Sequence, residues 1–352
     1  MNGLPAVTLA TGSGAESFMA IDMHAHFLPP ELADMLRARQ YLPRIEKLSN
    51  GAELFHRPFG TTPFDPSYVD IEQRVQLLES LHIETQLLSL PGLIGIDSLP
   101  VAESLPMTRT FNDALAGVLR RFPGRFAGLA GLPMANIAEA ASELKRCVAE
   151  HGFVGAILPV NCFATADEAR KLAPIFEVGN ADGLHFFVHP GRRPDEVQPG
   201  LSRAEVRPAW AGTQPLRALT VQTNVANATV TLLYSDFLDA YPDVSLHVAN
   251  LGGTYPMIEE RIVNLSRVRR PGLPSITESA RQIYTDCGSL GPRALRMAVE
   301  VFGAQKILLG SDTPTFRIEW ALATVRDAKI SVGDKALILR ENAAGLLRRR
   351  ER

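Results

Sequence analysis

Eight short apolar runs recur along the chain: FMAIDM (18–23), TQLLSL (85–90), FAGLAGL (126–132), VGAILPV (154–160), LHFFVH (184–189), VSLHVA (244–249), QIYTDC (282–287) and KILLGS (306–311). Each has strand length, and most are apolar at consecutive positions rather than at alternate ones. That pattern belongs to strands buried on both faces, as in a parallel sheet covered by helices. Segments of helical period lie between several of them, among them IAEAASELKRCVAEHG (137–152) and SDFLDAYP (235–242). Eight alternating units in 352 residues predict an α/β protein of the (β/α)8 TIM-barrel type. An open doubly wound sheet is the competing arrangement, but no G-x-G-x-x-G follows the first run.

Two connections exceed ordinary strand–helix loops. Residues 27–75 are rich in aromatics, proline and arginine, and residues 190–225 open with PGRRPDEVQPG. Loops that follow barrel strands build the active face, so both insertions are expected as lids over a site, one after strand 1 and one after strand 5. The first 17 residues are glycine-broken and lack a basic start. They are expected as a flexible arm rather than a signal peptide, with residues 18–352 forming one barrel domain.

Composition narrows the class. Basic and acidic residues number 36 and 38, for a net charge of −2, and are interspersed. A concentrated basic face for nucleic acid or anionic membrane is therefore not expected, and no apolar run is long enough to span a bilayer. The three cysteines, Cys147, Cys162 and Cys287, are scattered and odd in number. They fit free thiols in a reducing cytoplasm.

The candidate chemistry sits at strand ends. His24 and His26 are two apart on strand 1, so both rings leave the same face. His189 closes strand 5 in FFVHP, and Asp312 follows strand 8 in LLGSDTP. Singly, each has an ordinary explanation as a packed histidine or a turn residue. Together they fall at the ends of strands 1, 5 and 8 of one barrel, where strand 8 closes beside strand 1. Three imidazoles and a carboxylate suit Zn²⁺, with Mn²⁺ as the alternative. Asp286, at the end of strand 7, is expected to orient a ligand histidine. Arg192 and Arg193 follow His189 at the same rim, where one can grip a carboxylate bidentately. His185 lies a layer deeper on the same strand face and reads as a packed core residue.

The pieces DMHAHFLPPE, RFPGRFAGLAGLPM, HGFVGAIL, FVHP, LGGTYPMIEER, GSDTP and ENAAGLL resemble the amidohydrolase superfamily, in the branch of aminocarboxymuconate-semialdehyde decarboxylase and related aromatic-acid decarboxylases. The resemblance spans residues 21–348. It implies that His24, His26, His189 and Asp312 are metal ligands. It also implies a single metal, since ILPVNCF carries no lysine at the end of strand 4. Relatives place a carboxylate-holding arginine where Arg57 stands, with His56 beside it as a possible substitute acid/base. They are commonly dimers or larger. The departure is at strand 6, where the branch usually reads AHGGG or HLGG and uses that histidine as acid/base. Aligned on the Gly-Gly pair, the position here is Asn250. Strand alternation also favours 250, and assigns His247 to the barrel–helix interface.

The resemblance therefore implies a metal-dependent, non-oxidative decarboxylase of an aromatic or unsaturated carboxylic acid. Asp312 would carry the proton and Asn250 would hydrogen-bond the substrate. A hydrolase of an amide, lactone or vinylogous C–C bond, using metal-activated water with Asp312 as base, is the alternative. A barrel that binds without catalysing is the third reading.

Overall fold

The computed structural model describes residues 8–11, 14–17, 19–58, 60–196, 214–269 and 278–348. Each apolar run forms a strand: β1 (Ala20–His26), β2 (Ile83–Ser89), β3 (Phe126–Ala130), β4 (Gly155–Pro159), β5 (His185–His189), β6 (Ser245–Val248), β7 (Ile283–Asp286) and β8 (Ile307–Leu308). All pair in parallel and in chain order. The last strand then returns to the first. Met23 N donates to Leu309 O at 2.9 Å, His26 N donates to Thr313 O at 2.8 Å, and a parallel bridge joins Ala25 to Thr313. The sheet is thus a (β/α)8 barrel with the helices outside, as the alternation predicts.

The outer helices read from their sequences. In Ile137–His151 the buried positions Ala140, Ala141, Leu144 and Cys147 make one stripe, three and four residues apart, facing the sheet. Asn136 caps the first turn through its side chain, and Gly152, at φ 67°, ends the helix in the left-handed conformation that glycine adopts at no steric cost. Segment 235–242, expected as a helix, is only a 3-10 turn at Phe237–Ala240. The long helix of that unit is Gln214–Tyr234, just before it. Its polar residues obscure the apolar stripe that the shorter segment shows by itself.

The insertions have structure of their own. Residues 27–75 contain the helix Pro30–Ala38, an antiparallel sheet of Arg44–Lys47, Glu53–Arg57 and Gly60–Pro63, and a 3-10 turn at Pro66–Tyr68. Much of the expected second insertion, residues 197–213, lies outside the described residues. Its last part, from Gln214, is helix rather than loop. Within the expected N-terminal arm, Thr8–Thr11 pairs with Gly14–Ser17 as a hairpin. All three cysteines are free and buried.

Candidate metal centre

Inward alternation on β1 sets the site. Asp22, His24 and His26 share one face and are all buried. Asp22 lies lowest and ties three strands together: Oδ2 accepts from Gln86 Nε2 at 2.7 Å and Ser311 Oγ at 2.6 Å, while Oδ1 accepts from the backbone of Ser311 at 3.0 Å and, more distantly, of His24 at 3.2 Å. Above it, His24 and His26 meet His189 from β5 and Asp312 from the turn after β8. Their ligand-type atoms all lie within 4.8 Å of one another.

The hydrogen bonds fix which nitrogen each ring offers. His24 Nδ1 lies 3.0 Å from Asp286 Oδ1, His26 Nδ1 3.1 Å from Ser89 Oγ, and His189 Nδ1 3.0 Å from the carbonyl of Pro190. The Ser89 hydroxyl donates to Ala25 O, so it accepts from His26. Each Nδ1 then carries a hydrogen, which assigns the lone pair of each ring, in its neutral form, to Nε2. Those atoms converge: His26 Nε2 is 3.2 Å from His189 Nε2, and Asp312 Oδ1 is 3.3 Å and 3.6 Å from Nε2 of His26 and His24. His24 Nε2 is buried with no hydrogen-bond partner. An orphaned imidazole nitrogen aimed at two others and a carboxylate fits a divalent cation with tetrahedral or larger coordination.

Small residues leave room for this packing. A Cβ on Gly288 would come within 2.7 Å of Asp286 Oδ1 and 2.8 Å of His24 Nδ1, and one on Gly92 within 2.7 Å of His189 Nδ1. Asp312 itself sits at φ 58°, a left-handed conformation that aspartate tolerates better than most residues.

The charges are arranged for a cation. Burial opposes a proton on His24, but the carboxylates of Asp286 and Asp312 outweigh it and hold the ring up at about 9. Burial, and then neighbouring positive charge, pushes His26 and His189 well below the ordinary histidine value. Below pH 9 a cation must therefore displace one proton, from His24. Metal affinity is expected to rise about tenfold per pH unit between 7 and 9 and then level off, because ligation requires the neutral ring. Titration with Mn²⁺ across that range checks this, and a flat profile would contradict it.

The other expected residues divide. Asp286 reaches His24 as anticipated, and it also accepts from Gly288 N at 2.7 Å and Asn250 N at 3.4 Å. Asn250 is buried at the rim, where its Oδ1 lies 3.5 Å from Ser289 Oγ. Arg57 is largely buried, donates to Thr62 Oγ1 at 3.1 Å and keeps a buried Nε with no partner. Its charge acts on Tyr68, whose hydroxyl contacts Thr315 Oγ1 at 2.9 Å, and Thr315 in turn hydrogen-bonds Asp312. Nothing in PSY marked Tyr68 beforehand. Arg193 pairs with Asp195 at 2.9 Å and lies near Glu168 and Glu196, and Arg192 beside it is half-buried.

Two expectations need correction. His56 was a candidate substrate contact or replacement base. Its Nε2 lies 2.6 Å from Glu46 Oε2 and its Nδ1 2.8 Å from Thr61 Oγ1, so both nitrogens are engaged inside the insertion sheet. His247 was assigned to the barrel–helix interface, and it points into the barrel instead. In register with Phe187, it stacks on that ring at 4.1 Å and faces His185 and Asp286. Strand alternation does not extend past Val248, where β6 ends. The chain there turns left-handed at Asn250, Leu251, Gly252 and Gly253, with φ of 57°, 55°, 70° and 67°. Asn250 arrives at the rim by that turn, not by sharing a strand face with Val248.

Comparison with known proteins agrees with this architecture. The gamma-resorcylate decarboxylase of Polaromonas sp. strain JS666 is 30% identical over 295 residues, covering 79% of this chain and 87% of the relative. The 2-amino-3-carboxymuconate-6-semialdehyde decarboxylase of Dictyostelium discoideum is 25% identical, covering 84% and 82%. Among solved structures, a dihydroxybenzoic acid decarboxylase from Polaromonas sp. JS666, with bound manganese and 2-nitroresorcinol, superposes with a TM-score of 0.67 at 24% identity, over 94% of this chain and 96% of that one. The amidohydrolase family model matches residues 21–349, nearly the whole chain, and this protein belongs to that family.

Proposed function

We infer that this chain is a metal-dependent, non-oxidative decarboxylase acting on an aromatic or unsaturated carboxylic acid. The observation that carries the reading is the convergence of three Nε2 atoms and Asp312 at the active rim, in a chain whose curated relatives are decarboxylases over most of its length. His24, His26, His189 and Asp312 would hold one divalent metal. When bound, that metal supplies Lewis acidity and a fixed point for the substrate's carboxylate and an adjacent oxygen.

The remaining work falls to side chains. Arg57 binds a further anionic or hydroxyl group of the substrate, and Arg192 closes the opposite side of the rim. Asn250 donates its amide N–H to a substrate oxygen. Loss of CO₂ leaves an electron pair on the ring carbon, and that carbon takes a proton from the carboxyl group of Asp312. Asp312 suits that role by access: its side chain is 13% exposed, against 0% for His24 and 3% for His26.

Zinc is our reading of the donor set, with manganese, which the Polaromonas relative holds, as the alternative. Exposed Leu216 and Leu219 on one helix, and Met257, Ile258 and Val268 on its neighbour Tyr255–Arg269, support a homodimer. Buried free thiols support a cytoplasmic location. Among the described residues no helix is long and apolar enough to cross a membrane.

The test is direct. Protein loaded with Zn²⁺ or Mn²⁺ is offered a panel of hydroxybenzoates and carboxymuconate-type acids, and CO₂ is followed. Metal-dependent release of CO₂ is expected. Hydrolysis of amides or lactones without CO₂ would move the assignment to a hydrolase, and a preparation that gains neither activity with either metal would end both.

A further inference from the structure

Beneath the metal centre, four polar side chains form a line through the barrel interior that the proposed reaction does not use. Ser245 Oγ lies 2.9 Å from His185 Nδ1, and His185 Nε2 lies 2.7 Å from His247 Nδ1. His247 Nε2 then faces Asp286 Oδ2 at 3.7 Å, and Asp286 Oδ1 holds His24. We propose that His247 is a positioning residue for the metal centre: it directs an imidazole N–H at Asp286 from below, with His185 fixing which nitrogen carries that hydrogen. The inference rests on reading His24, His26, His189 and Asp312 as metal ligands.

The carboxylate decides the direction of the line. A neutral imidazole has one N–H and one lone pair. If His247 turned its lone pair toward Asp286, two acceptors would face each other in a dry interior, at a cost comparable to an unmade buried hydrogen bond. With Nε2–H toward Asp286, His247 Nδ1 accepts from His185 Nε2–H, and His185 Nδ1 accepts from the Ser245 hydroxyl. The Ser245 hydroxyl and the His185 N–H then each meet an acceptor, and the His247 Nε2–H points toward Asp286, with the backbone of Met23 also interacting with the ring.

The ring is held in that pose. It stacks on Phe187 with planes 11° apart, and the same Phe187 ring meets His24 edge-on at 4.6 Å. Burial, and then the neighbouring His185 and His24, push the His247 ring well below the ordinary histidine value, which agrees with the neutral form. Three of the buried polar atoms lacking a hydrogen bond lie on this line: His247 Nε2, Asp286 Oδ2 and His24 Nε2. At 3.7 Å the first two are too far apart for a hydrogen bond. Their contact is a dipole aimed at a carboxylate, one that orients Oδ2 while Oδ1 receives His24, Gly288 and Asn250. A carboxylate that directly receives a ligand histidine's N–H, as Asp286 does for His24, typically changes metal affinity by 10- to 100-fold, and His247 acts through that carboxylate.

The experiment measures Mn²⁺ affinity of the full chain, with thermal unfolding of the metal-free proteins as a check on folding. His247→Phe keeps the stacked ring and removes the N–H, and is expected to weaken Mn²⁺ binding about tenfold. His247→Gln, which places an amide N–H near the same point, is expected to recover most of that loss. In an Asp286→Asn background, His247→Phe should add nothing, since both changes act through one contact. Additive losses, a glutamine variant as weak as the phenylalanine one, or unchanged affinity in His247→Phe would each overturn the proposal. A wild-type chain that takes no metal would end the metal-centre reading as well. Should the phenylalanine variant fail to fold, ring ¹⁵N shifts of the wild-type histidines give the answer: an Nε2–H tautomer at His247 is expected, and an Nδ1–H tautomer there would overturn the assignment.

Discussion

Asp312→Asn is expected to strip the protein of its metal and to lower kcat/KM by a factor of about 10³. The substitution is nearly isosteric, and asparagine tolerates the left-handed backbone at φ 58° as readily as aspartate does. The backbone bonds from Asp312 N to His24 O and from Phe316 N to Asp312 O survive it. What disappears is charge. The three imidazoles remain, with no directly ligating carboxylate to offset a dication, and the carboxyl group assigned to deliver the proton is gone. Metal content after dialysis, unfolding temperature and CO₂ release separate these effects. A variant that folds, keeps its metal and turns over at the wild-type rate would remove Asp312 from the mechanism.

Asn250→His is expected to act in the opposite direction, raising the rate on a decarboxylase substrate by about 10². Proton transfer by a positioned imidazole near neutral pH has that order of magnitude, and asparagine cannot supply it. The backbone makes the exchange reasonable. Histidine is among the side chains enriched in the left-handed region that Asn250 occupies at φ 57°, and the main-chain N–H to Asp286 is unaffected. Steady-state kinetics over pH 5 to 9 read the outcome, with a new ionisation near the ordinary histidine value expected in the variant. An unchanged or lower rate would mean that the rim around Asn250 is shaped for another reaction, and the hydrolase would gain ground.

The four ligand candidates were legible because their signal is local and periodic. A strand places residues two apart on one face, so His24 and His26 needed only the recognition of β1, and His189 and Asp312 needed only the ends of two apolar runs. Asp286 followed from the same rule at β7. His56 and His247 were misjudged for a shared reason: each depended on geometry that no periodicity encodes. His56 is committed by Glu46 and Thr61, brought to it by two antiparallel pairings inside an insertion that the pattern presented as loop. His247 depended on where β6 stops, and a run of left-handed residues reverses the parity inferred from the Gly-Gly pair.

Apolar runs, their spacing and the histidines at their ends were enough to determine a parallel barrel and to mark four candidate ligands at one rim, because burial on both faces and strand alternation are properties of neighbouring residues. Tertiary structure alone decided which ring nitrogens converge, that Tyr68 and Thr315 stand beside Asp312, and that His185 and His247 lie beneath Asp286. Those contacts join side chains far apart in the chain, and their distances depend on barrel closure and strand register, which no local pattern records.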